Sequence, residues 1–143
     1  MNLVPSAVEV IRQRPELYFP HGVTPAAICL CLVDDALALG ATHVRVDEVD
    51  HWRIVSADAD WVRLPEHRVI PMDRLFVGMH EHPSRINGVR SEVFVGAFAE
   101  VAYVATPDEV SLVVGNHPLP ATVSRVLCSP PCVRSVAFFL RDS

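Results

Sequence analysis

The most apolar stretch of the chain runs from residue 25 to residue 40 and predicts a helix around which the other elements are arranged. Apolar side chains recur along it at intervals of three and four residues, the spacing of one helical face. Thr24 is a suitable N-cap, and Pro25 suits the first helical turn because its missing N–H leaves no bond unmade. Gly40 favours the left-handed conformation that ends many helices. The expected inward stripe consists of Ile28, Cys29, Leu32, Val33, Ala36, Leu37 and Leu39.

The remaining pattern predicts a helix over residues 5–14, capped by Ser6, and a second buried helix over residues 90–104. Alternation of apolar and polar residues predicts strands at 42–49 and 52–57. The other expected elements are a short helix within 71–79 and strands at 109–114, 122–127 and 136–140. Strands joined by short turns, with the helices grouped, favour the α+β class. We expect one domain over residues 1–143, a two-layer sandwich whose mixed or antiparallel sheet carries helices on one face.

Composition places the chain among ordinary globular proteins, because half of its residues are hydrophobic and a fifth are charged. The first residues lack a basic-then-apolar signal, and no apolar run approaches the ~18 residues of a membrane span. We therefore expect a cytoplasmic protein without a membrane partner. The net charge of −5 argues against direct nucleic-acid binding.

The cysteines and clustered histidines do not form a metal-binding pattern. Cys29 and Cys31 lie on diverging faces of the central helix, so they cannot chelate one ion together. A tight turn could bring Cys128 close to Cys132, but no second ligand pair accompanies them. Residues 80–82 offer two imidazoles without a third ligand. Buried free thiols and an exposed loop are the preferred interpretations.

Two adjacent aspartates, Asp34 and Asp35, interrupt the apolar central helix. Burying a carboxylate is costly unless the group is paired, hydrogen-bonded or bound to a metal. The pair therefore marks either the solvent-facing edge of the helix or a site, and the spacing alone leaves both interpretations open.

Two stretches resemble motifs of the gyrase-B family, the ATPase components of DNA gyrase and topoisomerase IV. In residues 10–19 an arginine–proline pair is followed by two residues and a tyrosine, as in those proteins just before their first long helix. Residues 32–37 resemble their valine–aspartate–asparagine–alanine helix motif. The resemblance implies the ATP-binding sandwich of gyrase, histidine kinases and MutL, called the GHKL or Bergerat fold, and a bacterial source. It also implies that Asp58 stands at the adenine-reading position, and that Gly88 precedes the phosphate-binding helix.

The departures from this family fall on its chemistry. The position of the glutamate that activates water is Cys31, and losing a general base typically costs about 10²–10⁴ in rate. The position of the magnesium-binding asparagine is Asp35, which can still ligate Mg²⁺. The family's glycines, which allow a ligand to approach the backbone, are largely replaced. The replacing residues are Asp60, Val62, Ser91 and Val93.

We therefore expect a non-catalytic protein-binding or regulatory module, similar to an inhibitor or immunity protein, with no cofactor. The alternative is an ATP-binding protein or weak magnesium-dependent ATPase. Its nucleotide would contact Asp35, Asp58, Gly88 and Arg90, with Asp35 also holding the metal. A third possibility is a small-molecule binder that reuses the vacated pocket. Without a nucleotide, Arg90 is interpreted as a surface residue.

The expected partner is a protein with a basic surface. The resemblance implies that the middle of the central helix faces the loop after the second strand, so that Asp34, Asp35, Asp58 and Asp60 converge. Carboxylates that share a depression repel one another, which raises some of their pKa values. Mg²⁺ binding, a basic partner surface or splaying of the carboxylates into solvent would each relieve that repulsion. We favour the basic partner, which would make association sensitive to salt. The oligomeric state and the role of residues 64–87 are left open.

Overall fold

The computed structural model describes residues 6–62, 72–78, 89–127 and 129–141. Its helices are α1 (Ala7–Gln13), α2 (Pro25–Ala38), α3 (Met72–Leu75), α4 (Glu92–Phe98) and α5 (Ala121–Ser124), with a single 3-10 turn at Pro15–Leu17. Its strands are β1 (Val44–Val49), β2 (Trp52–Ala57), β3 (Ala99–Ala105), β4 (Val110–Val114) and β5 (Arg134–Leu140).

The five strands form one sheet in the order β1-β2-β5-β3-β4. Every neighbouring pair is antiparallel, and the last strand in sequence, β5, occupies the centre between β2 and β3. The α+β class and the antiparallel sheet predicted from the sequence are confirmed. In the described part of the chain, β1 and β4 are the two edge strands.

Helix α2 forms as its end signals predict. The Thr24 hydroxyl accepts a hydrogen bond from the Ala27 N–H (3.1 Å), and Gly40 has φ +101°. Ile28 and Leu32 are fully buried in the main core. Leu37, predicted to face inward, is instead 52% exposed, because it lies on the opposite side of the helix from Asp35, which is buried.

The predicted helix over residues 90–104 is wrong in its second half. Helix α4 ends at Phe98 and strand β3 begins at once with Ala99. The run Val101–Ala105 satisfies helical spacing by coincidence, but its β-branched and aromatic residues also favour a strand. Pairing with both β4 and β5 decides the outcome, since β3 lies in the interior of the sheet.

The predicted strand at 122–127 is also wrong, because this segment begins with the short helix α5. Leu119, Val123 and Val126 recur at helical spacing and pack against the sheet face that carries Trp52 and Ile54. The predicted two-layer arrangement is therefore incomplete. The main core lies between the sheet and the helices α1, α2 and α4, whereas a smaller core lies on the opposite face under residues 119–127.

Helix α4 is held closely by its neighbours. A Cβ on Gly96 would lie 1.6 Å from the backbone oxygen of Phe76, so only glycine fits between α4 and the segment after α3. On its other side the Arg12 guanidinium donates to the carbonyl of Ala97 (2.6 Å). None of the helices in the described part of the chain combines the length and apolarity that crossing a bilayer requires.

Truncating the α2 core should be costly. We expect Leu32→Ala to lower the free energy of unfolding by about 2–5 kcal/mol, as buried leucine truncations do. Leu17→Ala is the control, because Leu17 is 65% exposed on the 3-10 turn, and it should change the free energy by less than about 0.5 kcal/mol. Urea unfolding of both variants measures the difference. Equal losses would mean that the inward face of α2 is assigned wrongly.

Candidate functional site

Asp35 connects two segments that the sequence analysis compared with family motifs, the helix motif at residues 32–37 and the segment around Ser91. Its carboxylate is 1% exposed, and its Oδ2 accepts a hydrogen bond from the Ser91 N–H (2.7 Å). Ser91 is the N-cap of α4, where backbone N–H groups have no partner inside the helix. The helix N-terminus also carries partial positive charge, which a carboxylate stabilises. Asp35 thus satisfies, from α2, the end of α4 that the resemblance assigned to a phosphate.

Arg90 and Glu92 complete a buried ion cluster with Asp35. The Arg90 guanidinium donates to the Trp61 carbonyl (2.6 Å) and to Glu92 Oε2 (2.5 Å). The prediction that Arg90 is a surface residue is wrong, since only 4% of it is exposed. Sequence spacing did not reveal this because its partner Trp61 lies 29 positions away. The cluster ties α2, the loop after β2 and the start of α4 together.

Glu92 was missed by the sequence analysis, and the pKa of its carboxyl is strongly perturbed. Its side chain is fully buried, and burial raises the pKa of its carboxyl to about 7. The Arg90 charge lowers this pKa and the Asp35 charge raises it, but burial is the largest cause. Among the described residues its Oε1 has no hydrogen-bond partner. At neutral pH this carboxyl therefore stands close to the midpoint of its titration.

Asp58, which follows β2, holds the segment that precedes β1. Its Oδ1 accepts from the backbone N–H groups of Thr42 (2.9 Å) and His43 (3.1 Å), and its Oδ2 accepts from the Thr42 hydroxyl (2.5 Å). The His43 ring nitrogen Nδ1 lies 3.2 Å from the same Oδ2. These hydrogen bonds, led by the Thr42 hydroxyl, hold the pKa of Asp58 well below its usual range. A carboxylate with this many donors has little accepting capacity left for an adenine amino group.

Three of the four aspartates expected to converge have different partners among the described residues. Asp35 binds Ser91, Asp58 binds Thr42 and His43, and Asp60 forms an ion pair with Arg134 at the start of β5 (2.8 Å). Asp34 is half-buried on α2. The pKa of Asp58 is lowered, in contrast to the rise expected of crowded carboxylates. The hydrogen bonds thus give Asp35, Asp58 and Asp60 separate local functions in the fold.

Several candidate residues lie elsewhere. Gly88, Cys128 and residues 80–82 fall outside the described residues, as does most of the 64–87 segment. Cys29 is buried, which raises the pKa of its thiol to about 11, and Cys132 is buried as well. Cys31 is half-buried. Within the described ranges, no group of three or more His, Cys, Asp or Glu side chains could hold a metal ion.

A depression of about 380 Å³ lies beside Asp58. It is lined in part by His43, Ser56, Ser129 and Cys132, and thus borders the position that the resemblance assigned to adenine. Ser56 and Cys132 already share hydrogen bonds with Ser135 inside the sheet. This depression is one of the spaces open to the small-molecule interpretation.

An exposed apolar stripe on α2 was not anticipated. Leu30 is 70% exposed and Leu37 52% exposed, and Ala26 is exposed beside the half-buried Val33. At 3.6 residues per turn these four positions lie within about 60° of one another. The signal was present in the sequence, because α2 is apolar nearly all round, but Leu37 was assigned to the inward stripe.

The direction of this stripe follows from Asp35. Asp35 is nine residues after Ala26, about half a turn away around the helix, and it contacts the N-terminus of α4. The stripe therefore faces away from α4. Since α2 packs over β1 and β2, and α4 leads into β3 on the far side of the sheet, the stripe points toward the β1 edge.

Strand β1 extends the same exposed area. Val46 is 48% exposed and shares a sheet face with Val44, which packs against the main core under the helices. We call the set of Ala26, Leu30, Val33, Leu37 and Val46 the α2–β1 surface. The sequence did not predict this surface.

The buried carboxyl of Glu92 predicts an unusual pH dependence of stability. Its pKa is about 7 in the folded protein against 4.5 in the unfolded chain, so the folded state holds the proton more tightly. This contribution to stability is complete below pH 4.5 and is lost as the pH rises through 7. The free energy of unfolding should fall over that interval by on the order of 1–3 kcal/mol.

Urea unfolding at several pH values measures this slope. Glu92→Gln should remove it, because an amide does not titrate. Glu100→Gln, at a largely exposed carboxylate, is the matched control and should keep it. A slope that persists unchanged in Glu92→Gln would contradict the assignment.

Comparison of the chain with protein-family models, with curated proteins and with solved structures finds no match. The functional conclusion therefore depends on the chain's own contacts.

Proposed function

We propose that this chain is a non-catalytic protein-binding module, built on a degenerate gyrase-B-like ATPase sandwich, which contacts its partner through the α2–β1 surface. The observation that carries the proposal is the hydrogen bond from the Ser91 N–H to the buried carboxylate of Asp35. The chain's own anion occupies the helix end at which a nucleotide phosphate would have to bind.

The charges around α4 oppose a polyphosphate. Asp35 and Glu92 are two buried acids near the start of α4, and the Arg90 guanidinium already donates to Glu92 and to the Trp61 carbonyl. A phosphate entering here would have to displace a carboxylate from a buried position and would meet a second one. Like charges in a poorly solvated site repel strongly.

The residues at the adenine-binding positions of the family also disfavour nucleotide binding. Asp58, the residue at the adenine-reading position, uses its oxygen lone pairs to accept hydrogen bonds from the Thr42 and His43 segment. Asp60 and Val62 stand where the family has glycines, and Val62 is fully buried. Hydrolysis would in addition need a general base, and the corresponding position is the half-buried Cys31.

The relationship to the gyrase-B-like fold is part of the proposal. It is supported by the chain order of a long helix, a β-hairpin and a later helix packed beside the first. It is also supported by the contact between Asp35, from the helix motif, and Ser91, from the position of the phosphate loop. Tyr18 of the arginine–proline–tyrosine motif packs against Phe94 of α4, with ring centroids 5.5 Å apart.

Protein binding is supported by the exposed apolar groups on α2 and β1. Contiguous apolar patches on a folded chain commonly mark protein interaction sites. The leucines of the α2 stripe stand next to Asp34 on the helix, and Val46 stands next to the exposed Glu48 on its strand face. An apolar centre with acidic neighbours suits a partner that brings apolar and basic side chains together.

Nucleotide binding is the first test of this proposal. Calorimetric titration with a non-hydrolysable ATP analogue and Mg²⁺ should give no binding tighter than about 100 µM, and ATPase assays should give no turnover above background. Cys31→Glu should not restore turnover, because the phosphate position stays filled by Asp35. Tight binding that Asp58→Ala abolishes would contradict the proposal and favour the ATP-binding alternative.

The α2–β1 surface is the second test. Affinity capture from host lysate should lose its specific partners when Leu30→Arg and Leu37→Arg are combined. Leu17→Arg is the matched control, because Leu17 is 65% exposed on the 3-10 turn and lies off this surface. Salt-sensitive partners retained equally by all three proteins would show that binding occurs elsewhere.

A further inference from the structure

We propose that the α2–β1 surface binds a second copy of this chain, with the two β1 strands paired antiparallel about a twofold axis at Val46. This inference rests on the proposed function, since it names the partner of the same surface.

The outer side of β1 is available for strand pairing. Among the described residues β2 is its only strand neighbour. A two-residue turn joins Val49 to its partner Trp52, so the backbone N–H and C=O groups of these two residues bond to each other. Along β1, the backbone groups of every second residue from Val49 point toward β2, and those of the residues between them point away from it. This alternation predicts that the backbone groups of His43 also point toward β2. The hydrogen bond from the Asp58 N–H to the His43 carbonyl (3.2 Å) agrees with it. The N–H and C=O groups of Val44, Val46 and Glu48 therefore face outward.

Charge selects one register for a symmetric pair. Outward-facing residues must oppose one another, which allows a twofold axis at any residue from Val44 to Glu48. An axis at Val44 pairs only Val44 within β1, and an axis at Glu48 sets two glutamates opposite each other. An axis at Arg45 sets two arginines opposite each other, and an axis at Asp47 sets two aspartates opposite each other. Like charges directly across a strand pair are destabilising. The axis at Val46 instead places each Arg45 opposite the Asp47 of the other copy, and it does so twice by symmetry.

The exposed stripe of α2 is also compatible with a twofold axis at Val46. The face of β1 that carries Val44 and Val46 is the face covered by α2, and the α2 stripe points toward the β1 edge. Pairing the strands brings the stripes of two copies toward each other above the joined sheet. Leu30 and Leu37 of each copy then lose water together, and one ten-stranded sheet replaces two exposed edges.

The opposite edge does not offer the same specificity. Strand β4 exposes Val110 and Leu112, but it has no charged residue that would select a register or a partner. The charges of β1 occur in both signs, and Arg45 and Asp47 already pair within one chain (2.6 Å). In the dimer each Arg45 pairs with the Asp47 of the other copy instead of its own, so every one of these charges stays compensated.

Sedimentation equilibrium of the full chain and its variants tests the register. The wild type should dimerise. Arg45→Asp and Asp47→Arg should each weaken the homodimer by about tenfold or more, because each sets two like-charged pairs across the axis. An equimolar mixture of the two single variants should dimerise again, since every cross-strand pair is then of opposite charge. Weak dimers of both single variants, together with dimerisation of the wild type and of the mixture, identify the Val46 axis, because only that axis sets Arg45 opposite Asp47.

Two further variants keep the test independent of folding defects. Val46→Pro removes an outward N–H, which an edge strand tolerates, and should leave a folded monomer by circular dichroism. Leu112→Arg on β4 is the matched control and should leave the dimer intact.

A wild type that stays monomeric, or a mixture that stays monomeric, overturns the inference. If that monomer still captures a foreign basic protein through Leu30 and Leu37, the proposed function stands without it. A dimer that also binds Mg·ATP tightly would overturn the proposed function and leave the β1 pairing intact.

Discussion

The hydrogen bond between the Asp35 carboxylate and the Ser91 N–H connects most of what distinguishes this structure. A carboxylate that is almost fully buried is stable only when its charge is compensated, and the N-terminal end of α4 supplies both a donor and partial positive charge. The bond fixes α2 against α4, and it places Asp35 close enough to Glu92 to raise the pKa of that second acid. Arg90 compensates the two carboxylates and ties them to the loop after β2.

The same bond divides the surface of the protein into a closed side and an open side. On the closed side the Asp35 carboxylate binds the N-terminal end of α4, and Asp58 binds the segment before β1. On the open side the orientation fixed by Asp35 turns Leu30 and Leu37 toward the edge strand β1. The contact between Asp35 and Ser91 thus closes the end of α4 and orients the exposed stripe of α2, and this stripe is why a binding module is the function proposed.

Local signals in the sequence predict the elements whose structure is decided locally. Thr24, Pro25 and Gly40 define α2 because caps and turn residues act within one helical turn. The strand at 99–105 could not be separated from a helix, since its valines fit both periods and only pairing with β5 decides between them.

The site was less predictable than the fold. Burial of Arg90 and Glu92 depends on the distant Trp61 and Asp35, and no spacing rule reports contacts across 29 or 56 positions. The exposed stripe on α2 could not be predicted either, because it too depends on contacts with distant residues. A helix that is apolar on nearly every side does not reveal which side its neighbours cover, and here the contact between Asp35 and Ser91 decides it.

Amide hydrogen exchange at Ser91 tests the central role of Asp35 most directly. We predict that the Ser91 N–H exchanges slowly in the wild-type protein. In Asp35→Ala it should exchange at least about tenfold faster, which corresponds to the loss of about 1.4 kcal/mol from a charge-assisted hydrogen bond. The Tyr103 N–H, in the interior strand β3, serves as the reference that reports global unfolding. Equal acceleration at both amides, or none at Ser91, would contradict the role given to Asp35.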